Sequence, residues 1–510
     1  MTLIAAIDIG TTGARCMIFD LAGRCLGSAY EEYGLSHVKT GWIEQSIPDV
    51  LAATDRACRR ATGAPGIDAS QIASVGLSTQ QCGTCAVDKS GNLIRPMLSW
   101  QDARATAEAG AIVGQFTMER YKAITGAPPM PNGVVAKMLW LRTHEPQTFE
   151  RAAKWLQPHH IALRHLGAED DFVDLPEVGY YGLWDVATRA WHPELLQFAG
   201  VTSNAFGHVV PAGTKVGQIS ASASERTGLP RGASLCVGAG DAACSLVGMG
   251  ATSPGMLSVT LGTAGIAALS IDAPRTELAE FLVFGHPVPD IWFASGASLA
   301  AASAYRWFRD VFGHVEQDAA QRDGSNVFDN LNALCAQAPP ASGGLLFLPY
   351  LNSAGTPHWN PEARAAFVGI SQNHGRHHFA RAVMEGVALE VQDMLTRFNH
   401  YGLRIGRIRV GGGAARSSLW TQIQANIYGQ PVQRLKEGET TALGAAILAG
   451  VGAGVFSDIG EGVDAMVGIA DTIEPQVDQT ARYVELYAAY ADAYRSLAPS
   501  TFSKLCALQR

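Results

Sequence analysis

Val237-Gly-Ala-Gly-Asp241-Ala-Ala243 is the most informative part of the sequence, because it sets one carboxylate beside a flexible turn midway along the chain. A loop rich in glycine and threonine lies far to either side, at Asp8-Ile-Gly-Thr-Thr12 and at Leu261-Gly-Thr-Ala-Gly265. Glycines let a backbone approach a phosphate without a Cβ clash, and threonine hydroxyls and free amides donate hydrogen bonds to it. A lone acid between two such loops can accept the proton of an attacking hydroxyl. The three segments together indicate phosphoryl transfer to a small polyol or sugar.

Each glycine-threonine loop lies at the first turn of a predicted β-meander. Apolar runs and turn residues predict strands at residues 3–9, 15–19 and 25–30 in the first half, and at 255–261 and 266–270 in the second. Two similar hairpins half a chain apart predict a duplicated architecture, with a nucleotide bound between the copies.

A third glycine-rich turn follows a predicted amphipathic helix at residues 378–398 and a predicted strand at 405–410. The turn is Gly411-Gly-Gly-Ala414, and Ser417 or Ser418 can cap a helix that extends through Ile427. Strand, glycine turn and helix N-terminus often face a nucleotide, although triple glycines also occur in plain tight turns.

Bulk properties favour two globular domains and a small substrate. A chain of 510 residues exceeds one ordinary core, and we place the domains at residues 1–245 and 246–510. Charged residues make up 16% of the chain, the net charge is −8, and there is no Lys/Arg-rich stretch, which argues against nucleic acid or an anionic membrane as partner. The N-terminus lacks the pattern of a signal peptide, and the apolar run 442–456 is shorter than a membrane span. We therefore expect a soluble cytoplasmic protein.

The motifs and their order resemble the FGGY family of carbohydrate kinases, within the actin-like, ribonuclease-H-like ATPase superfamily. The resemblance rests on the two glycine-threonine loops, the turn before Asp241 and the Gly411–Ala414 turn, together with Gly41-Trp-Ile-Glu44, Ser99-Trp-Gln-Asp-Ala-Arg104, Lys137-Met-Leu-Trp140, Ala365-Ala-Phe-Val-Gly-Ile370 and 378–385. It implies an α/β fold of two ribonuclease-H-like domains with a cleft between them. Within the family, Tyr350–Pro361 and the following Arg364-Ala-Ala-Phe367 resemble xylulose kinases.

The resemblance also implies roles for individual residues, with ATP and Mg²⁺ as cofactors. Asp241 would be the general base and a metal ligand, and Asp8 would hold the metal through water. The remaining nucleotide-binding residues would be Gly10, Thr11, Thr12, Arg15, Gly262 and Thr263 at the phosphates, and Gly412, Gly413, Ala414 and Ser417 at the adenosine. The sugar would contact Gln81, Cys82, Trp100, Asp102, Asn132 and Asp241.

Two positions depart from the xylulose kinase pattern, which bears on the choice of sugar. Gln81-Cys82 stands where a Met-His pair is usual, and Ala242 stands where an Asn commonly follows the catalytic acid. The preferred reaction is phosphorylation of D-xylulose to D-xylulose 5-phosphate, and the alternatives in the same class are ribulose, glycerol, a tetritol or another ketose. The resemblance leaves the oligomeric state open, a homodimer included.

Two further hypotheses come from other functional classes. An actin-like nucleotide-binding module would bind ATP without a sugar-dependent reaction, but it would need no acid beside a hydroxyl pocket. A thiol redox protein would use Cys82 and Cys85, whose spacing is that of a redox motif. With nine scattered cysteines, reduced buried thiols fit the chain better than a disulfide framework.

Overall fold

The computed structural model describes residues 2–509, and its first half is built around one six-stranded sheet. The strands of this half are β1 (Leu3–Ile9), β2 (Gly13–Asp20), β3 (Cys25–Glu32), β4 (Ser36–Lys39), β5 (Trp42–Gln45), β6 (Ile72–Thr79), β7 (Cys85–Val87), β8 (Met97–Leu98), β9 (Lys154–Leu156), β10 (Phe172–Asp174), β11 (Trp184–Asp185), β12 (Ala190–Trp191), β13 (His208–Val210), β14 (Lys215–Gln218) and β15 (Ser234–Gly240). Its helices are α1 (Ile47–Thr62), α2 (Thr106–Phe116), α3 (Met118–Thr125), α4 (Val134–His144), α5 (Pro146–Arg151), α6 (Pro158–Leu166), α7 (Leu175–Val178), α8 (Pro193–Ala199), α9 (Ala221–Thr227) and α10 (Asp241–Gly248). The large sheet has the order β14-β15-β6-β1-β2-β3.

The second half is built around a seven-stranded sheet of order β18-β19-β17-β16-β22-β23-β24. Its strands are β16 (Met256–Leu261), β17 (Gly265–Ile271), β18 (Leu282–Gly285), β19 (Trp292–Ser298), β20 (Leu346–Leu348), β21 (Ala366–Val368), β22 (Arg407–Gly411), β23 (Val432–Leu435) and β24 (Ile469–Ile473). Its helices are α11 (Ala302–Phe312), α12 (His314–Asp323), α13 (Val327–Cys335), α14 (Arg376–His400), α15 (Ser418–Tyr428), α16 (Thr440–Gly452), α17 (Ile459–Met466), α18 (Val477–Leu497) and α19 (Thr501–Leu508).

The two large sheets repeat one plan. In the first, β1, β2 and β3 form an antiparallel meander, and β6 and β15 add to β1 in parallel. In the second, β16, β17 and β19 form the meander, and β22 and β23 add to β16 in parallel. Each sheet ends in an antiparallel edge strand: β14 pairs with β15 in the first sheet, and β24 pairs with β23 in the second. This confirms the predicted α/β fold and its duplication.

The sequence explains where the regular elements form. β1 is an almost continuous apolar run, as expected for a strand with both faces covered, and α1 and α16 both contact it. The predicted helix at 378–398 forms as α14, with two more residues at each end. Ser417 caps α15 by accepting a hydrogen bond from the Trp420 amide, as predicted.

Helix α16 belongs to the second half of the chain but packs on the sheet of the first. It contacts β1, β6 and β15, and it lies against α10 with backbone touching backbone. A β-carbon on Gly444 would stand 1.8 Å from the carbonyl oxygen of Cys244, and one on Gly248 would stand 1.8 Å from that of Thr440. The predicted boundary between residues 245 and 246 therefore passes through α10, and residues far beyond it complete the first domain.

Burial between the halves explains the apolar run at 442–456. Ala442, Leu443, Ala446 and Leu448 lie in one core with residues of β1, β2 and α10. Within residues 2–509, helices long and apolar enough to cross a membrane are absent.

Candidate active site

Three parallel strands of the first sheet end together and position two carboxylates. In the register of this sheet, Asp8 of β1 pairs with Ser78 of β6, and Gly240 at the end of β15 pairs with Thr79. Asp241 follows as the first residue of α10. The Ser78 hydroxyl donates to Asp8 Oδ1 at 2.9 Å. Because carboxyl ends of parallel strands meet at one edge, Asp8 and Asp241 lie close enough there for the charge of one to affect the other.

The surroundings that the protein provides disfavour the ionised forms of both Asp8 and Asp241. Burial, followed by the negative charge of Asp8, raises the pKa of Asp241 from 3.8 to about 7, although the Ala242 amide lowers it. Burial also raises the pKa of Asp8 to about 6, while the Ser78 hydroxyl and the Arg15 charge lower it. A cation bound between the two carboxylates would stabilise both ionised forms.

The side chains of Tyr33 and Gln45 form hydrogen bonds to the backbone of the loop that joins β1 to β2. The Tyr33 hydroxyl donates to the carbonyl oxygens of Gly10 and Gly13 at 2.6 and 3.1 Å. Gln45 Nε2 donates to the Thr11 carbonyl at 2.8 Å. With its carbonyls occupied, the loop presents outward the half-buried Thr11 and the exposed Thr12. Donors aimed outward from a fixed loop suit a phosphate group.

The second sheet ends in the same way at two further loops. β16 and β22 run parallel with Thr260 opposite Gly411, so the Gly262–Thr263 turn and the Gly412–Ala414 turn lie side by side. Gly412 has φ 77°, and a β-carbon there would stand 2.7 Å from the Leu261 carbonyl oxygen, so this position favours glycine.

The predicted nucleotide-binding residues of the second half differ in how much of each is exposed. Thr263 and Gly413 are exposed, Gly262 and Ser417 are half-buried, and Ala414 is buried. The Ser417 hydroxyl already caps α15. A turn of small residues before a helix N-terminus suits a nucleotide, and Gly412, Gly413 and Ala414 lie just before α15.

Arg15 connects the two halves of the molecule. It extends from β2 and forms an ion pair with Glu439, which directly precedes α16. The pair is partly exposed, with 30% of the Arg15 side chain and 41% of the Glu439 side chain accessible. An exposed ion pair contributes little stability, so Arg15 can exchange Glu439 for a phosphate at small cost.

Gln81 and Cys82 lie close to Asp241, and Trp100 contacts the loop between β1 and β2. A β-carbon on Gly240 would stand 2.4 Å from Gln81 Nε2. Burial raises the pKa of the Cys82 thiol to about 12, and the charges of Glu177 and Asp241 add to this effect. Trp100 is 38% exposed, and its indole donates to Thr11 Oγ1 at 2.8 Å. The indole thus joins the predicted sugar side to the phosphate loop.

Asp102 and Asn132, the other predicted sugar contacts, differ in their surroundings. Asp102 is fully buried; its Oδ2 accepts the Ile43 amide at 2.6 Å and its two oxygens receive the Arg104 guanidinium at 2.8–3.0 Å. The carboxylate therefore braces the Trp100 loop from behind. Asn132 is half-buried in the turn directly before α4.

The sequence interpretation gave no site role to Glu177 and Tyr180, which lie near Asp241, or to Lys137, which lies behind Cys82. Glu177 of α7 is fully buried, and its Oε2 approaches Gly240 from the same side as Gln81. Tyr180 follows in the next turn and stacks on Phe284 of the second half at 4.2 Å between ring centroids. Lys137 is buried and donates to the carbonyl oxygens of Cys82, Leu98 and Ser99 at 2.5, 3.3 and 3.0 Å. Only the Lys137 motif gave a signal in the sequence.

The thiol redox hypothesis finds little physical support. Cys82 and Cys85 are free and buried, and burial raises the pKa of each thiol to about 12. Thiolate is the reactive form of cysteine, so both side chains are inert at neutral pH.

The donor set fits a hard cation shared with a nucleotide. Across residues 2–509, clusters of three or more His, Cys, Asp or Glu side chains at ligand spacing are absent. Mg²⁺ usually binds one or two carboxylates and takes its other ligands from water and substrate phosphates. Asp8 and Asp241 match that requirement, and the open space at Gly413 leaves room beside the phosphate loops.

Comparisons with known proteins agree with this geometry. The model of the FGGY family of carbohydrate kinases matches residues 3–248 with its N-terminal domain and 257–453 with its C-terminal domain. Xylulose kinase of Staphylococcus epidermidis is 27% identical over 501 residues, covering 97% of this chain and 96% of the relative. Gluconokinase of Bacillus subtilis is 26% identical over 493 residues, covering 96% and 95%. The solved xylulose kinase of Lactobacillus acidophilus superposes with a TM-score of 0.89 at 22% identity, covering 99% of this chain and 100% of that one.

Proposed function

Because this chain belongs to the FGGY family of carbohydrate kinases, we propose that it transfers the terminal phosphoryl group of ATP to the primary hydroxyl of a ketopentose, D-xylulose in the first instance. The observation that carries the proposal is the position of Asp241, at the edge where β1, β6 and β15 end and beside Asp8. Two of the relatives compared above are named xylulose kinase and gluconokinase. The xylulose kinase supports the choice of a ketose as acceptor.

Asp241 acts as the general base in this proposal. Its carboxylate accepts the hydroxyl proton while the sugar oxygen bonds to the γ-phosphorus, and the bond from that phosphorus to the β–γ bridging oxygen breaks to release ADP. A base contributes about 10²–10⁴-fold. Its pKa near 7 suits proton acceptance at neutral pH.

Positioning and charge neutralisation supply the larger share of the rate. Thr11, Thr12 and Thr263 donate to phosphate oxygens, and Arg15 approaches the transferred group. Gly412, Gly413, Ala414 and Ser417 border the adenosine. Mg²⁺, held by Asp8 through water and by Asp241, would neutralise phosphate charge when bound.

Sugar-dependent ADP release tests the proposal. The purified chain, with ATP and Mg²⁺, is assayed against D-xylulose, ribulose, glycerol, a tetritol and gluconate. We expect D-xylulose to give the highest kcat/KM. If another neutral acceptor is turned over rapidly and D-xylulose is not, that acceptor replaces D-xylulose as the proposed substrate. Nucleotide binding without acceptor-dependent ADP release would favour the non-catalytic module.

A further inference from the structure

We propose that Lys137 is a positioning residue: its buried ammonium group closes a ring of hydrogen bonds that fixes predicted sugar contacts relative to the phosphate loop at Thr11. This inference rests on the proposed kinase function and deepens it, because it names a residue that aligns the acceptor side of the site with the nucleotide side. The ring runs through Thr11, Gln45, Gln80, Cys82, Lys137, Ser99 and Trp100.

Lys137 lies where two loops of the predicted sugar side meet. This residue of α4 is fully buried, and its ammonium group donates to three backbone carbonyls, those of Cys82, Leu98 and Ser99, at 2.5, 3.3 and 3.0 Å. Burial lowers the pKa of the ammonium group from 10.5 to about 8, which leaves it protonated at neutral pH. Because an ammonium group has three donors, the two loops satisfy this buried cation and are joined by it.

The turn at Cys82 depends most on this contact. The other two carbonyls also accept backbone amides, from Thr84 and Asp102. Cys82 has φ 60°, a left-handed conformation that a residue other than glycine retains only where its surroundings enforce it. Lys137 therefore holds a strained turn that carries two of the predicted sugar contacts.

On one side, the ring returns from Cys82 to the phosphate loop through two glutamines. Gln80 lies two residues before Cys82, and its Nε2 donates to Gln45 Oε1 at 2.7 Å. Gln45 Nε2 donates in turn to the Thr11 carbonyl at 2.8 Å. Both glutamines are buried, so water does not compete for these hydrogen bonds.

On the other side, the ring returns through Trp100. Ser99, whose carbonyl accepts from Lys137, directly precedes Trp100, and the indole donates to Thr11 Oγ1 at 2.8 Å. A hydroxyl oxygen that accepts the indole N–H keeps its own hydrogen free to donate to a phosphate oxygen. The ring therefore holds one predicted sugar contact and one predicted phosphate contact in fixed relation.

The phosphate loop also has supports outside the ring, because the Tyr33 hydroxyl donates to the carbonyls of Gly10 and Gly13. Loss of the Lys137 ammonium group should therefore leave nucleotide binding in place and disturb the alignment of the acceptor with the nucleotide. A misplacement of about 1 Å can reduce a rate about 10²-fold.

Lys137→Met tests this role, because it keeps a long unbranched side chain and removes the donors. With ADP release as the assay, kcat/KM for D-xylulose should fall about 10–100-fold, while Kd for a non-hydrolysable ATP analogue stays within about threefold of the parent. Trp100→Phe removes the indole N–H and opens the same ring at another point. The effect of Lys137→Met on kcat/KM should therefore be at least about threefold smaller in the Trp100→Phe background than in the parent.

Lys122→Met is the matched control. Lys122 is also a buried lysine that donates to backbone carbonyls, those of Leu278 and Ala279, but it lies outside the ring. Its effect on kcat/KM should multiply with that of Trp100→Phe, as expected for sites without shared partners. A purely structural role for Lys137 would lower Tm and give the same independence. Independent effects of Lys137→Met and Trp100→Phe, or an unchanged kcat/KM in Lys137→Met, would overturn the inference.

A second opening of the ring covers the case in which Lys137→Met does not fold. Gln80→Met removes a neutral link, the hydrogen bond to Gln45. Its effect on kcat/KM should also shrink in the Trp100→Phe background, and independent effects there would overturn the inference equally.

Hydrogen exchange separates failure of this inference from failure of the kinase proposal. Amides in peptides that cover residues 80–84 and 98–102 should exchange faster in Lys137→Met than in the parent, whether or not the parent phosphorylates a sugar. If this difference is present and the parent shows no acceptor-dependent ADP release, only the kinase proposal is contradicted. A parent active on D-xylulose whose Lys137→Met variant turns over and exchanges identically contradicts this inference alone.

Discussion

Glu177 Oε2 lies 2.2 Å from the point where a β-carbon on Gly240 would stand, so the glycine before Asp241, the proposed general base, leaves room for the Glu177 side chain. The groups that Gly240→Ala would meet are the ends of two flexible side chains, Glu177 and Gln81. The substitution should therefore fold, displace both side chains into the acceptor pocket and raise acceptor KM about tenfold or more, with KM for ATP unchanged. Steady-state kinetics with each substrate varied in turn measure this.

Gly110→Ala is the matched control for Gly240→Ala. Gly110 lies within α2 and a β-carbon there meets open space. Alanine in a helix stabilises by about 0.5–1 kcal/mol relative to glycine, so Tm should rise slightly and both KM values should stay. Equal kinetic effects in the two variants would show that the Gly240 contact has no part in acceptor binding.

Asp241→Asn removes the proton acceptor and keeps the shape of the site. We expect kcat to fall about 10²–10⁴-fold with nucleotide Kd within about threefold of the parent. Tm at pH 8 should rise, because a buried charge facing Asp8 is lost. Asp492→Asn, at an exposed ion pair, serves as control. A near-normal kcat in Asp241→Asn would refute the base assignment.

The pH dependence follows from the raised pKa values of Asp241 and Asp8, about 7 and about 6. The base works ionised, so kcat/KM for the acceptor should rise about tenfold per pH unit below the pKa of Asp241 and level off above it. Mg²⁺ with nucleotide should move this limb to lower pH, since a cation favours the ionised carboxylates. A profile flat from pH 5 to 8 would contradict the assignment.

The same shifts predict a stability effect of opposite direction. Folding raises the pKa of Asp241 above its ordinary 3.8, so between these values the folded chain binds more protons than the unfolded one. Stability from this group is therefore present at low pH and lost as pH rises through about 7. The difference in Tm between Asp241→Asn and the parent should grow from pH 5 to pH 8, as calorimetry can measure.

Gly412 and Gly413 should respond differently to alanine, although they are neighbours. Gly412 has φ 77° and approaches the Leu261 carbonyl, so Gly412→Ala should lower Tm. A β-carbon on Gly413 meets open space, so Gly413→Ala should keep Tm and raise KM for ATP about three- to tenfold. Unchanged nucleotide affinity in Gly413→Ala would remove this turn from the proposed adenosine slot.

Local signals in the sequence predicted the hairpins, the long helix and the Ser417 cap, because each depends on neighbouring residues. Glu177 and Tyr180 were not predicted because α7 has only four residues and the turn after it, Gly179–Tyr181, only three, which is too few for a periodic pattern. Asp102 was chosen for its motif, but which of its neighbours would bind its carboxylate depended on tertiary packing around Arg104. Contacts between distant segments decide such cases, and a single sequence does not contain them.

The docking of α16 on β1, β6 and β15 has a consequence for how the chain matures. A nascent fragment that stops at residue 245 would leave the apolar face formed by Ile4, Ala6 and Cys236 without its cover. That face becomes sheltered only after the ribosome has released α16, some two hundred residues later. The first domain therefore cannot finish folding before most of the second has been synthesised.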